Sequence, residues 1–274
     1  MSLIDKIHIT GITDEGLVRE HNEDSIGSNE ELGLLVLADG MGGHKGGEIA
    51  SAIAVDTILQ NLTATLPGIS VGNINERTGY SLESMAVERA IEEANLKIYE
   101  SSQKNSKYEG MGTTVVVALF YDNRITIAHV GDSRLYRMRE QILEQMTRDH
   151  TLLQELVDRG FYTPREAAES LNKNLVTRAV GVNPCVNIDL LEDIALADDT
   201  YLLCSDGLTD MISDDLIEDI LLNYHDNLQK MNEELIRQAR EYGGKDNVST
   251  MIAQVTEEFP ANSGWLSRFF DIFS

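Results

Sequence analysis

The sequence predicts an α+β fold in one domain, with antiparallel sheets covered by helices, and three observations carry that expectation. Apolar runs of strand length recur at 34–38, 125–130, 200–204 and 248–255. Two runs, 110–120 and 125–138, face each other across Asp122-Asn123, a pair suited to a hairpin turn. Stretches with apolar residues at helical spacing separate the runs, as in Leu82, Met85, Ala86, Ala90, Ala94 and Ile98.

Taken in order, Ile7 to Thr13 reads as an opening strand that turns at Asp14-Glu15-Gly16. Arg19 to Asp24 reads as a charged loop leading to Leu34-Leu35-Val36-Leu37-Ala38, a strand buried on both faces. Asp39-Gly40-Met41-Gly42-Gly43 ends that strand, and a helix follows Gly47 with Ala50, Ile53, Ala54, Thr57 and Ile58 on one side. Residues 67–79 form a polar surface loop before the long helix beginning near Leu82. Leu152, Leu153, Leu156 and Val157 outline a short helix ended by Gly160, and Thr163-Pro164-Arg165-Glu166 supplies the start of another. Ser213 caps a helix with Asp214 and Asp215 in its first turn. The last helix runs from about Leu228 to Tyr242 and stops at Gly243-Gly244.

At 274 residues the chain is long enough for a substantial core, and no Pro/Gly/Ser-rich linker or repeat divides it. The net charge of −24 argues against a nucleic-acid partner, which needs basic surface. The same charge repels a phosphorylated substrate unless the site itself holds cations. Cys185 and Cys204 are expected as two buried thiols in a reducing cytosol, with no disulfide. No basic start precedes an apolar segment and no run of eighteen apolar residues occurs, so neither secretion nor a membrane span is expected. A cytoplasmic location is the expectation.

The chemistry is concentrated where strands end. Asp39 sits on a sheet rim beside a turn with almost no side chains, where a carboxylate and a bare carbonyl can both reach a hard cation. A single Asp-Gly pair is an ordinary turn, but here the arrangement recurs. Gly131-Asp132-Ser133-Arg134 follows the run at 125–130, Ser205-Asp206-Gly207 follows that at 200–204, and Gly244-Lys245-Asp246-Asn247 precedes that at 248–255. Carboxylates brought together repel unless cations lie between them. All-oxygen ligands point to magnesium or manganese rather than zinc. None of His8, His21, His129, His150 and His225 shows a pairing that suggests a zinc site. The P-loop and dinucleotide glycine patterns are absent.

Six motifs now stand in order: Arg19-Glu20-His21-Asn22-Glu23-Asp24, Asp39-Gly40-Met41-Gly42-Gly43, Gly112-Thr113-Thr114, Gly131-Asp132-Ser133-Arg134, Ser205-Asp206-Gly207 and Asp246-Asn247. Together they resemble the PPM family of metal-dependent protein serine/threonine phosphatases of type 2C, bacterial type, from about Gly11 to Val255. The resemblance implies a four-layer αββα sandwich, two packed antiparallel sheets flanked by pairs of antiparallel helices. It implies two Mn2+ or Mg2+ ions that share a water, lower its pKa and direct hydroxide at a phosphoryl group of phosphoserine or phosphothreonine. Asp39 would bridge the two ions, Asp206 and Asp246 would complete the first, and the Gly40 carbonyl would bind the second. Glu23 and Asp24 would hold water around the metals, and Asp132 would join Asp206 at a weaker third ion. Arg19 is the candidate phosphate clamp, because a guanidinium fork matches two phosphate oxygens; an ion pair with Glu20, Glu23 or Asp24 is the plainer reading of the same residue. Arg134, Arg178 and Asn247 are expected to brace the framework. The resemblance puts a flap at 148–178, where a plain helical connection is an equal alternative.

One departure concerns proton transfer. Animal and plant members carry His directly after the Asp-Gly pair, whereas this chain has Met41, as many bacterial members do. The leaving oxygen must then take its proton from water in the site or another group, and His44 reads as a solvent-exposed loop residue. Residues 1–256 are expected as the catalytic domain and 257–274 as a tail. In that tail Trp265, Leu266, Phe269, Phe270 and Phe273 share a helical face that could dock on a membrane surface or partner, or fold back on the domain. Expected partners are phosphoproteins, the substrates of a serine/threonine kinase, met by a monomer. Two rivals remain: a non-catalytic phosphoprotein-binding module, and a metal-dependent hydrolase of another phosphate ester.

Overall fold

The computed structural model describes residues 2–42, 46–163, 166 and 175–261. His44, most of the second half of the flap and the aromatic face of the tail lie outside the described residues. The elements are β1 (Ile7–Asp14), β2 (Asp24–Asn29), β3 (Leu34–Met41), α1 (Gly46–Thr65), α2 (Leu82–Lys104), β4 (Gly112–Thr113), β5 (Val115–Tyr121), β6 (Arg124–Val130), β7 (Arg134–Arg139) and β8 (Ile142–Gln145). They continue with α3 (Leu152–Asp158), β9 (Asp189–Ile194), β10 (Thr200–Cys204), α4 (Asp206–Thr209), α5 (Asp214–Asn223), α6 (Leu228–Glu241) and β11 (Val248–Val255). One sheet has the order β1-β11-β10-β7-β8 and the other β2-β3-β5-β6-β9, with β4 paired to β3. All the strand pairings are antiparallel.

The continuous apolar runs exist because both faces of each central strand are covered. Along β3, Leu34, Val36 and Ala38 face α1 and α2, packing with Ala54, Ile58, Ala90 and Ile98. Leu35 and Leu37 face the opposite sheet and pack with Tyr201, Leu203, Met251 and Ala253. The outer face of that second sheet, with Leu202, Cys204 and Ile252, is closed by Ile217, Ile220, Leu235 and Ala239 of α5 and α6. Three apolar layers between four structural layers give the αββα sandwich. Each fully buried Val or Leu in these layers contributes roughly 1.5–3 kcal/mol over leaving it in water.

The hairpin turns at Asp122-Asn123, both with positive φ (46° and 55°), as the two-residue turn of a twisted hairpin requires. The second arm is not one strand to Met138. It ends at Val130, and the chain then crosses to the other sheet, resuming as β7 at Arg134. Gly131 makes that crossing possible: its φ is +107°, and a Cβ there would lie 2.6 Å from the Thr114 side chain. Three strands escape the sequence reading, β2, β8 and β9, and all of them are sheet edges. Cys204 is buried as expected, but Cys185 is exposed rather than buried, and both thiols are free.

Residues Gly46–Gly68 are long and apolar enough to pass for a membrane span by length and composition only. Ala50, Ala54, Ile58 and Leu62 of this helix are fully buried against β3 and α2, so its apolar face belongs to the core.

Candidate metal centre

Strand pairing brings the acidic motifs to one end of the sandwich. β10 and β11 are neighbours, with Cys204 opposite Thr250, so Asp206 just beyond β10 and Asp246 just before β11 leave the sheet together. β7 lies on the other side of β10, with Arg134 opposite Cys204, which adds Asp132 from the crossing. From the second sheet β3 presents Asp39 and Gly40, with Asp24 of β2 directly opposite Asp39. Asp39, Gly40, Asp132, Asp206, Asp246, Glu23 and Arg19 line a single cleft of about 460 Å³. Asp24 alone of the expected residues is not in its wall, lying buried behind Asp39.

A hydroxyl framework fixes the acids. The Asp39 backbone N–H donates to Thr114 Oγ1 (3.0 Å), and its carbonyl accepts from the Thr114 amide and Thr113 Oγ1 (both 2.8 Å). Thr114 Oγ1 is in turn 2.7 Å from Ser133 Oγ, so the Gly-Thr-Thr and Gly-Asp-Ser-Arg motifs clamp the end of β3. Asp24 Oδ2 accepts from Ser205 Oγ (2.8 Å) and Ser249 Oγ (2.6 Å). Its Oδ1 is buried with no hydrogen-bond partner. Asn247 joins the loops as expected: its Oδ1 accepts from the Glu23 amide, and its Nδ2 donates to the carbonyls of Glu15 and His21. Thr114, Ser133, Ser205 and Ser249 had no role in the sequence reading; the first three stand inside or beside its motifs, and Ser249 carries no signal.

The basic residues divide differently from the expectation for Arg19. Its Nη2 donates to Asp246 Oδ2 at 2.6 Å, rather than to Glu20, Glu23 or Asp24, and the side chain stays half-exposed at the cleft. Arg134 grips Asp149 in bidentate fashion, and Arg178 pairs with Asp189 at 2.6 Å, so both brace the framework as expected.

On the protein's own charges the cleft is electrostatically costly. Burial first, then Asp24, Asp206, Asp132 and Asp246 nearby, push the Asp39 carboxyl well above its ordinary range. Burial and the neighbouring acids Asp132, Asp210, Asp246 and Asp24 raise Asp206 to about 8. Burial chiefly raises Asp24 and Asp132 to about 6 each. Such groups hold protons more tightly when folded, so the stability they lend is present below their unfolded values and fades as pH rises through the folded ones. The melting temperature of chelator-treated protein is therefore expected to fall between about pH 4 and about pH 8, the range set by Asp206. Saturating Mn2+ should remove most of that slope; thermal denaturation across the pH series is the check.

The donor set fits hard divalent cations. It is all oxygen, it includes buried carboxylates that only positive charge can reconcile, and it leaves Asp24 Oδ1 unpartnered behind Asp39. A second group behaves otherwise. His129 and His150 stack with ring centroids 4.6 Å apart, a pairing that the sequence reading did not anticipate, and with Asp189 their ligand atoms fall within 4.8 Å. The Gly131 amide, however, donates to His150 Nδ1, so the hydrogen of the neutral ring sits on Nε2, facing Asp189 Oδ2 at 3.2 Å. A nitrogen carrying a hydrogen is no ligand. The trio reads as a brace between the crossing at Gly131 and the segment that starts at Arg148.

Residues 18–252 match the family model described as protein phosphatase 2C. The chain is 34% identical over 251 residues to the serine/threonine phosphatase stp of Listeria monocytogenes serotype 4b, covering 90% of this chain and 96% of that protein. It is 38% identical over 245 residues to the serine/threonine protein phosphatase PstP of Mycobacterium tuberculosis, covering 89% of this chain and 44% of that one. A crystal structure of the M. tuberculosis phosphatase superposes with a TM-score of 0.80 at 36% identity, covering 92% of this chain and 100% of the other. The catalytic domain of PstP in complex with two manganese ions gives a TM-score of 0.78 at 36% identity over 92% of this chain and 99% of that one.

Proposed function

The chain belongs to the protein phosphatase 2C family, and from that premise we propose how its own residues divide the work. It is a manganese- or magnesium-dependent phosphoprotein phosphatase that hydrolyses phosphoserine and phosphothreonine. The observation that carries this reading is the convergence of Asp39, Asp132, Asp206 and Asp246 from separate strand ends on one cleft. When bound, the two cations neutralise phosphoryl oxygens and acidify the water that attacks phosphorus.

Asp39, its backbone held by Thr113 and Thr114, would serve both cations. Asp206 and Asp246 would hold the first from neighbouring strands, and the Gly40 carbonyl would reach the second. Asp132 and Asp206 would share a weaker third ion. Glu23, in the cleft wall, would orient water directly. Asp24 would act through its free Oδ1 and its contact with Asp39, fixed from behind by Ser205 and Ser249.

Arg19 is assigned to the substrate phosphate. One Nη2 hydrogen bond goes to Asp246, which aims the guanidinium over the cleft and leaves the other donors of the fork for phosphoryl oxygens. Met41 lines the same cleft and brings no titratable group, so the proton for the leaving oxygen would come from water in the site or from another group. Leu175 and Val176, at the base of the flap, also line it and offer an apolar contact to the residues flanking the phosphate.

Hydrolysis of a phosphothreonine peptide is the test. Turnover is expected with Mn2+ and none in excess chelator; activity persisting in chelator would overturn the metal assignment. Slow turnover of the peptide beside fast turnover of small phosphate esters would favour a different ester as substrate. In the same assay, at saturating Mn2+, Arg19→Ala should raise KM for the peptide roughly ten- to hundredfold, the loss of about one to two charge-assisted hydrogen bonds. The physiological substrates are assigned to the phosphoproteins of a serine/threonine kinase, and the free thiols Cys185 and Cys204 support a reducing, cytoplasmic setting.

A further inference from the structure

A second cleft, of about 360 Å³, opens away from the metal centre. Leu3, Leu66, Ile69, Val71 and Phe259 give it an apolar wall. Glu83, in the first turn of α2, lies on the same wall with only 3% of its surface exposed, and neither carboxylate oxygen has a hydrogen-bond partner. The amides of Gly72 and Glu83 itself face that carboxylate without bonds of ordinary geometry. Glu31 and Asp122 add acidity to the rim. A buried, unpartnered acid inside an apolar cleft calls for an occupant that brings both apolar bulk and a cationic donor.

The chain itself leads to the mouth of this cleft. Phe259 is buried edge-on against Phe120, its amide donates to Asn123 Oδ1, and the Ala261 amide donates to Asp122 Oδ1 at 2.8 Å. Ala261 lines the cleft, and the sequence continues from it with Trp265, Leu266, Arg268, Phe269 and Phe270. Arg268 is the sole Lys or Arg among residues 262–274. Arg268 lies seven positions beyond Ala261, a reach of about 10 Å as helix or up to about 25 Å extended, and Ala261 and Glu83 line the same cleft. The family match ends at residue 252, so this stretch lies beyond it. A tethered segment also meets its site at an effective concentration that a free partner seldom reaches.

We infer that this cleft is the seat of the chain's own C-terminal segment, with Trp265 and Phe269 filling its apolar part and Arg268 pairing with Glu83. The tail is then a latch across α2 and the β5–β6 hairpin rather than an arm for a membrane or a second protein.

The chain contains a single tryptophan, Trp265, so intrinsic fluorescence of the full protein reads the latch directly. The wild type should show blue-shifted emission and severalfold weaker acrylamide quenching than a free indole. Val71→Glu, at a half-exposed position in the cleft, and Arg268→Glu should each shift emission to the red and restore quenching, with Mn2+-dependent turnover of p-nitrophenyl phosphate unchanged. Ile142→Glu, exposed on the edge strand β8, should leave emission as it was. Solvent-exposed emission in the wild type, or protected emission indifferent to Val71→Glu, would falsify the latch. Protection that disappears on dilution would assign the cleft to a second copy, and exposed emission that shifts to the blue only with anionic phosphatidylglycerol vesicles would assign the tail to a membrane; either overturns the inference.

Discussion

Asp206→Asn is expected to lower Mn2+-dependent turnover by about 10³-fold or more, since losing even an outer-shell partner of a metal ligand costs 10–100-fold. The same substitution should leave the fold intact and raise the melting temperature of chelator-treated protein. Asp206 is buried among Asp132, Asp210, Asp246 and Asp24, and burial with that repulsion pushes its carboxyl to about 8. An amide at the same place has no charge to desolvate and no neighbour to repel. The first turn of α4 would lose an acid favourable to the helix dipole, about 0.3–1 kcal/mol, which is smaller than the relief. Activity and stability should therefore move in opposite directions, and kinetics paired with thermal melts in chelator will show whether they do. A drop in both would mean that Asp206 holds the structure rather than a cation.

Gly40→Ala should fail in the contrary way, losing stability and turnover together. A Cβ at Gly40 would stand 2.1 Å from the Gly47 carbonyl oxygen and 2.6 Å from that of Glu23. Both obstacles are backbone, the first in the opening turn of α1 and the second on the approach to β2, and neither can rotate aside. Overpacking at sites with some give costs about 1–3 kcal/mol, and here the helix must shift away from β3 to make room. The Gly40 amide would also lose its 3.1 Å hydrogen bond to the Glu23 carbonyl as the strands separate. Excess Mn2+ should not restore turnover, because the carbonyl of residue 40 itself is displaced. Denaturant unfolding beside a metal titration separates this outcome from that of Asp206→Asn.

How much of this was legible in the sequence depended on where a segment lies in the sandwich. β3, β10 and β11 announce themselves because both faces are buried, which leaves an unbroken apolar run. β2, β8 and β9 do not, and each is an edge, where Asp24-Ser25, Glu144-Gln145 and Asp189 interrupt any apolar pattern. The β6–β7 crossing was read as one strand because the apolar residues on either side of Gly131-Asp132-Ser133 belong to different sheets, a fact that only the three-dimensional path contains. The acidic constellation was legible because Asp beside Gly recurs at strand ends. Its supports were not: lone hydroxyls such as Ser249 are common everywhere, and Asp24 meets it only across the interface between the sheets. For the same reason Arg19 was weighed against acids near it in sequence, when its partner, Asp246, arrives from the far end of the chain.

The two halves of the acidic ring come from different sheets, Asp24 and Asp39 from one and Asp206 and Asp246 from the other. A divalent ion held among them would thus be a rivet through the middle of the sandwich, joining layers that otherwise cohere through apolar packing and a few polar ties such as those of Asp24 to Ser205 and Ser249. Its affinity adds to the free energy that keeps the sheets together, so scarcity of the ion should loosen the enzyme at its seam as well as silence it.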